Sequence, residues 1–186
     1  MSALLPAIAA RMRRFAGDRS GSLMVEAIMV LPILIWGGVA TMTFVDAFRH
    51  QTANLRTTYA IADLISRQTD AIGPDFLNGA AEIYGYLADR ETTSMRISLF
   101  RWNVDDAAYM LLRSEPVAGA PAPTTAEMAE LASIIPEMSE TKLAIVVETW
   151  MEYEPAFKVG IAPRTFHNRV VTSPRFGPQL KFDQSK

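Results

Sequence analysis

The feature that most constrains this chain is a long run without charged residues near its N-terminus. From Ala27 to Val45 there are 19 consecutive uncharged residues, most of them aliphatic or aromatic. A helix of this length, at about 1.5 Å per residue, covers roughly the 30 Å hydrocarbon core of a bilayer. The run therefore predicts a single transmembrane helix. Because the chain has 186 residues, there is room for one further domain of ordinary size.

The charges on either side of this run predict its orientation. Residues 1–21 contain four arginines and one aspartate, whereas the far side carries little net charge. Basic residues stay on the cytoplasmic side of a membrane helix. We therefore expect a basic cytoplasmic leader at 1–21, a transmembrane helix at 22–48 and an extracytoplasmic domain at 49–186. A secretory signal peptide fits less well, because its apolar core is usually 7 to 15 residues long.

One carboxylate, Glu26, stands at the start of the apolar run, five residues after Gly21. A charged side chain deep in a membrane helix costs about 2.5 to 3.5 kcal/mol on insertion scales, so it normally marks a function or a partner. A positively charged partner is the natural counter-charge for Glu26, either from the same chain or from a neighbouring subunit. The alternative is a hydrated carboxylate at the headgroup edge, loosely paired with Arg19.

Three further residues interrupt the apolar run. Pro32 and the pair Gly37 and Gly38 would kink a helix in water, but membrane helices tolerate them. They predict either a bend in the helix or a surface for close helix packing, and the sequence favours neither.

The order of basic leader, Gly21, Glu26 and apolar helix resembles the processing signal of type IV pilins and pseudopilins, in which a prepilin peptidase cuts after the glycine. Residues 15–70 resemble more narrowly the TadE/TadG-like proteins of the tight-adherence (Flp) pilus system. The likeness lies in a phenylalanine before a short Gly/Asp/Arg stretch, a G-S-x-x-V-E core, and Pro32 six residues after the acid. The chain departs from many members at Ala27, where they have an aromatic residue.

This resemblance implies a TadE- or TadF-like minor pseudopilin, since there is no room for the von Willebrand-like domain of the larger TadG-type proteins. It implies cleavage between Gly21 and Ser22, with Glu26 held near the membrane surface. Glu26 would then pair with the free amine of Ser22, from the same chain or from a neighbouring subunit. The implied location is the bacterial inner membrane, with the C-terminal domain in the periplasm. The implied partners are that membrane, prepilin peptidase, other pilins or pseudopilins and the proteins of the pilus assembly platform.

The remaining sequence predicts an α+β fold, in which a long N-terminal helix continues outside the membrane and packs on a small antiparallel sheet of three to four strands. We expect one helix from Ser22 to Thr69, or two with a hinge near Asp46. Its outer half should bury a stripe of apolar residues and leave polar ones in water. The buried stripe is Leu55, Tyr59, Ala62 and Ile65, and the solvated residues are Arg49, Gln51, Asn54, Arg56 and Asp63.

A second helix is predicted over residues 74–89, where Phe76, Ala80, Ile83, Tyr84 and Leu87 share one face. Thr124 and Glu127 form a capping box for a short helix that Pro136 ends. Alternating patterns predict half-buried strands at 94–102 and 142–155 and an edge strand within 165–176, whereas 105–116 is ambiguous between helix and strand. In the strand at 142–155, Glu148, Glu152 and Glu154 are expected to form a solvated face, and a cation site there is the weaker alternative.

Residues with catalytic or ligand-binding chemistry are sparse. The chain has no cysteine, and His50 and His167 lie far apart without a partner at ligand spacing. There is no glycine-rich phosphate loop, and the arginines at 164, 169 and 175 are dispersed, unlike a nucleic-acid-binding surface. We therefore predict a protein that is not an enzyme and uses no metal, cofactor, small-molecule substrate or nucleic acid, and the resemblance implies that it acts by subunit packing. The alternatives are an uncleaved membrane-anchored binding or assembly module and, less well supported, an anchored hydrolase.

Overall fold

The computed structural model describes residues 4–17, 20–90, 92–136, 138, 143–177 and 180–182. The fold is α+β, as predicted. In chain order the elements are α1 (Leu4–Gly17), α2 (Ser20–Ser66), α3 (Pro74–Ala88), β1 (Thr93–Asn103), β2 (Ala108–Val117), α4 (Thr125–Ile134), β3 (Leu143–Tyr153) and β4 (Arg164–Thr172). The four strands form one antiparallel sheet in the order β2-β1-β3-β4.

Helix α2 is a single helix of 47 residues, so there is no break near Asp46. Its C-terminal half packs on β3 and β4. The predicted stripe was partly wrong: Ala62 and Ile65 are buried, but Leu55 and Tyr59 are exposed. The buried stripe lies one position earlier, because it contains polar residues that a search for apolar spacing passes over. Its members are Asn54, Thr57, Thr58, Ile61, Ala62, Ile65 and Ser66.

Helix α3 matches its predicted bounds and is closed by Asp89 in the left-handed conformation, with φ 53°. Its buried residues are Leu77, Ala80, Tyr84 and Ala88. The predicted face was therefore right for Ala80 and Tyr84, whereas Ile83 and Leu87 remain exposed. Because α3 packs against α2 and the sheet, these two helices cover one face of the sheet together.

The prediction of half-buried strands was wrong for β1 and β3. Residues 95–100 and 143–149 are buried at every position, which means that both faces of the sheet are covered. One face packs on α2 and α3, and the other lies under α4, where Leu131 and Ile135 contact Phe100 and Val146. The domain thus has three layers, with the sheet in the middle.

The predictions for the remaining segments can be compared with β2, β4 and α4. The ambiguous stretch at 105–116 is a turn followed by strand β2, and β4 is an edge strand as predicted. The capping box of α4 is confirmed: the Thr124 side chain accepts from the Glu127 backbone N–H, and the Glu127 carboxylate accepts from that of Thr124. Helix α4 ends at Ile134, before Pro136.

Candidate functional site

The N-terminal half of α2 exposes its apolar side chains. Within the described residues, the one helix long and apolar enough to cross a membrane runs over Met24–Ser66. Most large apolar side chains between Met24 and Phe48 are exposed, including Trp36 and Phe44. In water such a surface would be unfavourable, because a contiguous apolar patch of this size normally marks a membrane or protein interface. Among the described residues, most of this surface has no cover from the domain.

The segment with the predicted processing site forms the first turns of α2. Gly21 is helical and exposed, and Glu26 is exposed two turns into the helix. A shallow groove runs along this face, lined by Gly21, Val25, Glu26, Met29, Val30 and Ile33. The side chain of Ser22 and the whole of Arg19 lie outside the described residues. Pairing of Glu26 with either of them therefore stays a prediction.

The predicted bend or packing residues lie on the exposed part of the same helix. The helix continues without interruption through Pro32. A methyl group added at Gly37 or Gly38 would meet no atom of another part of the chain within 4 Å, so the two glycines leave open space beside the helix. The Thr41 hydroxyl donates to the Gly37 carbonyl at 2.8 Å, which satisfies this polar group within the helix. These features favour a surface that another helix can approach closely.

Where α2 leaves its apolar half, four polar side chains join it to the domain. The Tyr153 hydroxyl donates to the Asp46 carboxylate at 2.9 Å. His50 Nε2 lies 3.4 Å from Asp46 and 2.8 Å from Arg90 Nη2. Burial raises the pKa of Tyr153, and the Asp46 carboxylate raises it further, so this phenol remains a donor. We call Asp46, His50, Arg90 and Tyr153 the junction cluster.

Under α4 the sheet contains a buried ion pair that the sequence did not reveal. Glu148 is 0% exposed, so its predicted place on a solvated face was wrong, while Glu152 and Glu154 are exposed as expected. Arg96 Nη2 lies 2.6 Å from one oxygen of Glu148, and Arg169 Nε and His167 Nε2 approach the other oxygen at 3.1 and 3.2 Å. Burial raises the pKa of Glu148, but these donors outweigh burial and hold the pKa below its usual range.

A second buried polar group joins α2, α3 and β3. The Tyr84 hydroxyl donates to Asn54 Oδ1 at 2.6 Å, and the Thr58 and Thr149 hydroxyls lie 2.7 Å apart. Asn54 Nδ2 donates to the Phe166 carbonyl on β4 at 3.2 Å. Burial raises the pKa of Tyr84 to about 12. The network fixes α2 against the sheet, and Asn54, which was predicted to face water, is its centre.

Both buried networks consist of polar side chains that pair with one another. The carboxylate of Glu148 is neutralised by arginine, and the described residues contain no group of three or more His, Asp or Glu side chains suited to hold a metal ion. The two histidines do not meet: His50 belongs to the junction cluster, whereas His167 stacks on Trp150, with ring centroids 4.6 Å apart. No family model, curated protein or solved structure that was compared with the chain matches it.

Proposed function

We propose that this protein is a single-pass, membrane-anchored minor pseudopilin of the TadE-like kind, which acts by subunit packing in the assembly of a tight-adherence pilus. In this proposal the leader is cytoplasmic, a prepilin peptidase cuts after Gly21, and the α+β domain faces the periplasm. The observation that carries the proposal is the sequence order of basic leader, Gly21, Glu26 and apolar run. The arginines of the leader would keep it on the cytoplasmic side.

The form of α2 supports an assembly role. A single helix carries both the exposed apolar half and the buried stripe of the domain, so the domain is attached to the anchor without a linker. The exposed apolar side chains, together with the open space at Gly37 and Gly38, would allow neighbouring helices to pack in the membrane. A domain held rigidly on such a helix would be positioned by that packing.

One observation favours a second candidate, the uncleaved membrane-anchored assembly module. Gly21 lies in the first turn of α2, whereas a protease usually needs its substrate in an extended form. Cleavage would therefore require local unwinding, and the uncleaved module would not.

N-terminal mapping of the membrane-extracted protein by mass spectrometry distinguishes the two candidates. The pseudopilin proposal expects a mature chain that begins at Ser22, and a Gly21→Leu variant that keeps its leader and fails to support pilus formation. A matched Gly17→Leu variant, with the same change in the leader, should be processed normally. Recovery of intact Met1 together with normal piliation of Gly21→Leu would instead favour the uncleaved module.

A further inference from the structure

A groove opens at the end of the domain nearest to the apolar half of α2. It has a volume of about 950 Å³ and lies between the end of α3, the segment before β1, and the ends of β3 and β4 that meet there. Among the residues that the structure describes, its lining contains two cations and three carboxylates in addition to Tyr86 and Tyr153: Arg90, Arg164, Asp89, Glu152 and Glu154. A groove with both charges suits a ligand that also carries both.

The groove lies at the level of Asp46 and His50 along the axis of α2, because Tyr153 and Arg90 of the junction cluster also line the groove. The apolar run from Ala27 to Val45 covers a hydrocarbon core of about 30 Å. Beyond the core, the headgroup layer is about 5 to 7 Å thick. Asp46, which accepts the hydrogen bond from Tyr153, would lie in that layer. The groove would therefore open at the level of the phospholipid headgroups.

The rim of the groove is suited to this level. Tyr86 is 85% exposed at the end of α3. The segment 154–163, which joins β3 to β4 at the same end, carries Phe157 with 55% exposure beside Lys158. Aromatic side chains are enriched at membrane–water interfaces, where an apolar ring and a polar neighbour are both accommodated. An exposed Tyr at the groove and an exposed Phe in the adjoining β3–β4 connection thus match a membrane surface better than open water.

From these observations we infer that the groove binds the headgroup of a phospholipid that carries a phosphate and a primary ammonium, with phosphatidylethanolamine as the model ligand. The guanidinium groups of Arg90 and Arg164 pair with the phosphate, and the carboxylates of Glu152 and Glu154 accept hydrogen bonds from the ammonium. An anionic headgroup without an ammonium would face unpaired carboxylates. A quaternary ammonium has no N–H to donate.

This inference rests on the proposed membrane anchor and deepens it, since a bound headgroup would fix the tilt of the domain on the membrane. The test uses the full chain in detergent, with native mass spectrometry of complexes with phosphatidylethanolamine, phosphatidylcholine and phosphatidylglycerol of identical acyl chains. The intact protein should retain phosphatidylethanolamine best. Loss of charge-assisted hydrogen bonds in Arg90→Gln/Arg164→Gln should lower this retention about tenfold or more.

Two control pairs separate the site from general charge effects. Arg67 and Arg175 both pair with Asp63 near the C-terminal end of α2, so Arg67→Gln/Arg175→Gln makes the same charge change away from the groove. Glu152→Gln/Glu154→Gln alters only exposed side chains and should shift the preference from phosphatidylethanolamine toward phosphatidylglycerol. Asp70→Asn/Glu82→Gln, also at exposed positions, should not.

Equal retention of the three lipids by the intact protein would overturn the inference, and so would equal losses in the groove and control variants. Resistance of the same chain to alkaline extraction from membranes reports on the anchor separately. If the chain resists extraction but shows no headgroup preference, only the proposal of the headgroup site is contradicted. If the chain is extracted, the proposals of the membrane anchor and of the headgroup site are both contradicted.

Discussion

The ion pair between Arg96 and Glu148 lies where neither side chain reaches water, since both are 1% exposed or less. Removal of one partner leaves the other charge buried, which typically costs 3 to 5 kcal/mol. We expect Glu148→Gln to lower the free energy of unfolding by about 3 kcal/mol. Urea unfolding of the full chain in detergent, followed by near-UV circular dichroism, measures this loss.

The pH dependence of the unfolding free energy of Glu148→Gln tests whether the lost stability comes from the ionised carboxylate. Because the native pKa of Glu148 lies below its usual value of 4.5, the stability from its ionised form is present above about pH 4.5 and is lost as the pH falls through the native pKa. The difference between the intact chain and Glu148→Gln should therefore narrow below that pH. Glu152→Gln, an exposed carboxylate on the same strand, should change the unfolding free energy by less than about 0.5 kcal/mol.

The contribution of Tyr84 to the free energy of unfolding depends on pH in the opposite sense, because it is lost at alkaline pH. Its hydroxyl donates to Asn54 inside the core, so Tyr84→Phe should lower the free energy of unfolding by about 1 to 2 kcal/mol near pH 8. The native pKa is about 12 and the ordinary value is 10.0. A raised pKa means that this contribution is present below pH 10 and is lost as the pH rises toward 12. The same unfolding measurement should show that the free energies of unfolding of the intact chain and of Tyr84→Phe converge over that interval. A constant difference between them would contradict the raised pKa.

At the scale of elements, what could be predicted from the sequence depended on the kind of signal. Helix α3 and the α4 cap carry local signals, namely Pro74 at a first turn and the Thr124 capping box, and both were found. The cover of the second sheet face by α4 is a tertiary feature, and local alternation along β1 and β3 carries no trace of it. Glu148 was therefore assigned to solvent.

The candidate site divides in the same way. The predicted processing and packing residues could be singled out from the sequence because they stand out against a simple apolar pattern. They are Gly21, Glu26, Pro32, Gly37 and Gly38. The junction cluster could not be predicted, because its members come from α2, the turn after α3 and the end of β3. Only the folded chain brings these segments together.

The open face of α2 leads to a prediction about helix packing. Gly38→Leu should leave membrane insertion intact, since it adds apolar surface, but should fill the space that a neighbouring helix would use. We expect lateral association to fall several-fold. Because the chain has no cysteine, a single introduced cysteine at an exposed position of α2 allows disulfide cross-linking between copies to measure it. Ile35→Leu, a volume-conserving change on the same helix, serves as the control, and equal cross-linking of both variants would argue against packing through Gly38.

At the scale of the whole molecule, one helix, α2, contributes its C-terminal half to the core and exposes the apolar side chains of its N-terminal half. The buried apolar residues of α2 begin at Ile61, and the central polar residue is Asn54. A fragment of residues 46–186 should therefore fold, remain soluble and keep the urea midpoint of the full chain. A fragment that begins at residue 60 loses Asn54 and Thr58. The Tyr84 hydroxyl then keeps the longer hydrogen bond to the Trp150 carbonyl, at 3.4 Å, but loses the one to Asn54, and the fragment should unfold at markedly lower urea. If both fragments unfold alike, the polar network contributes little and apolar packing alone holds α2 on the sheet.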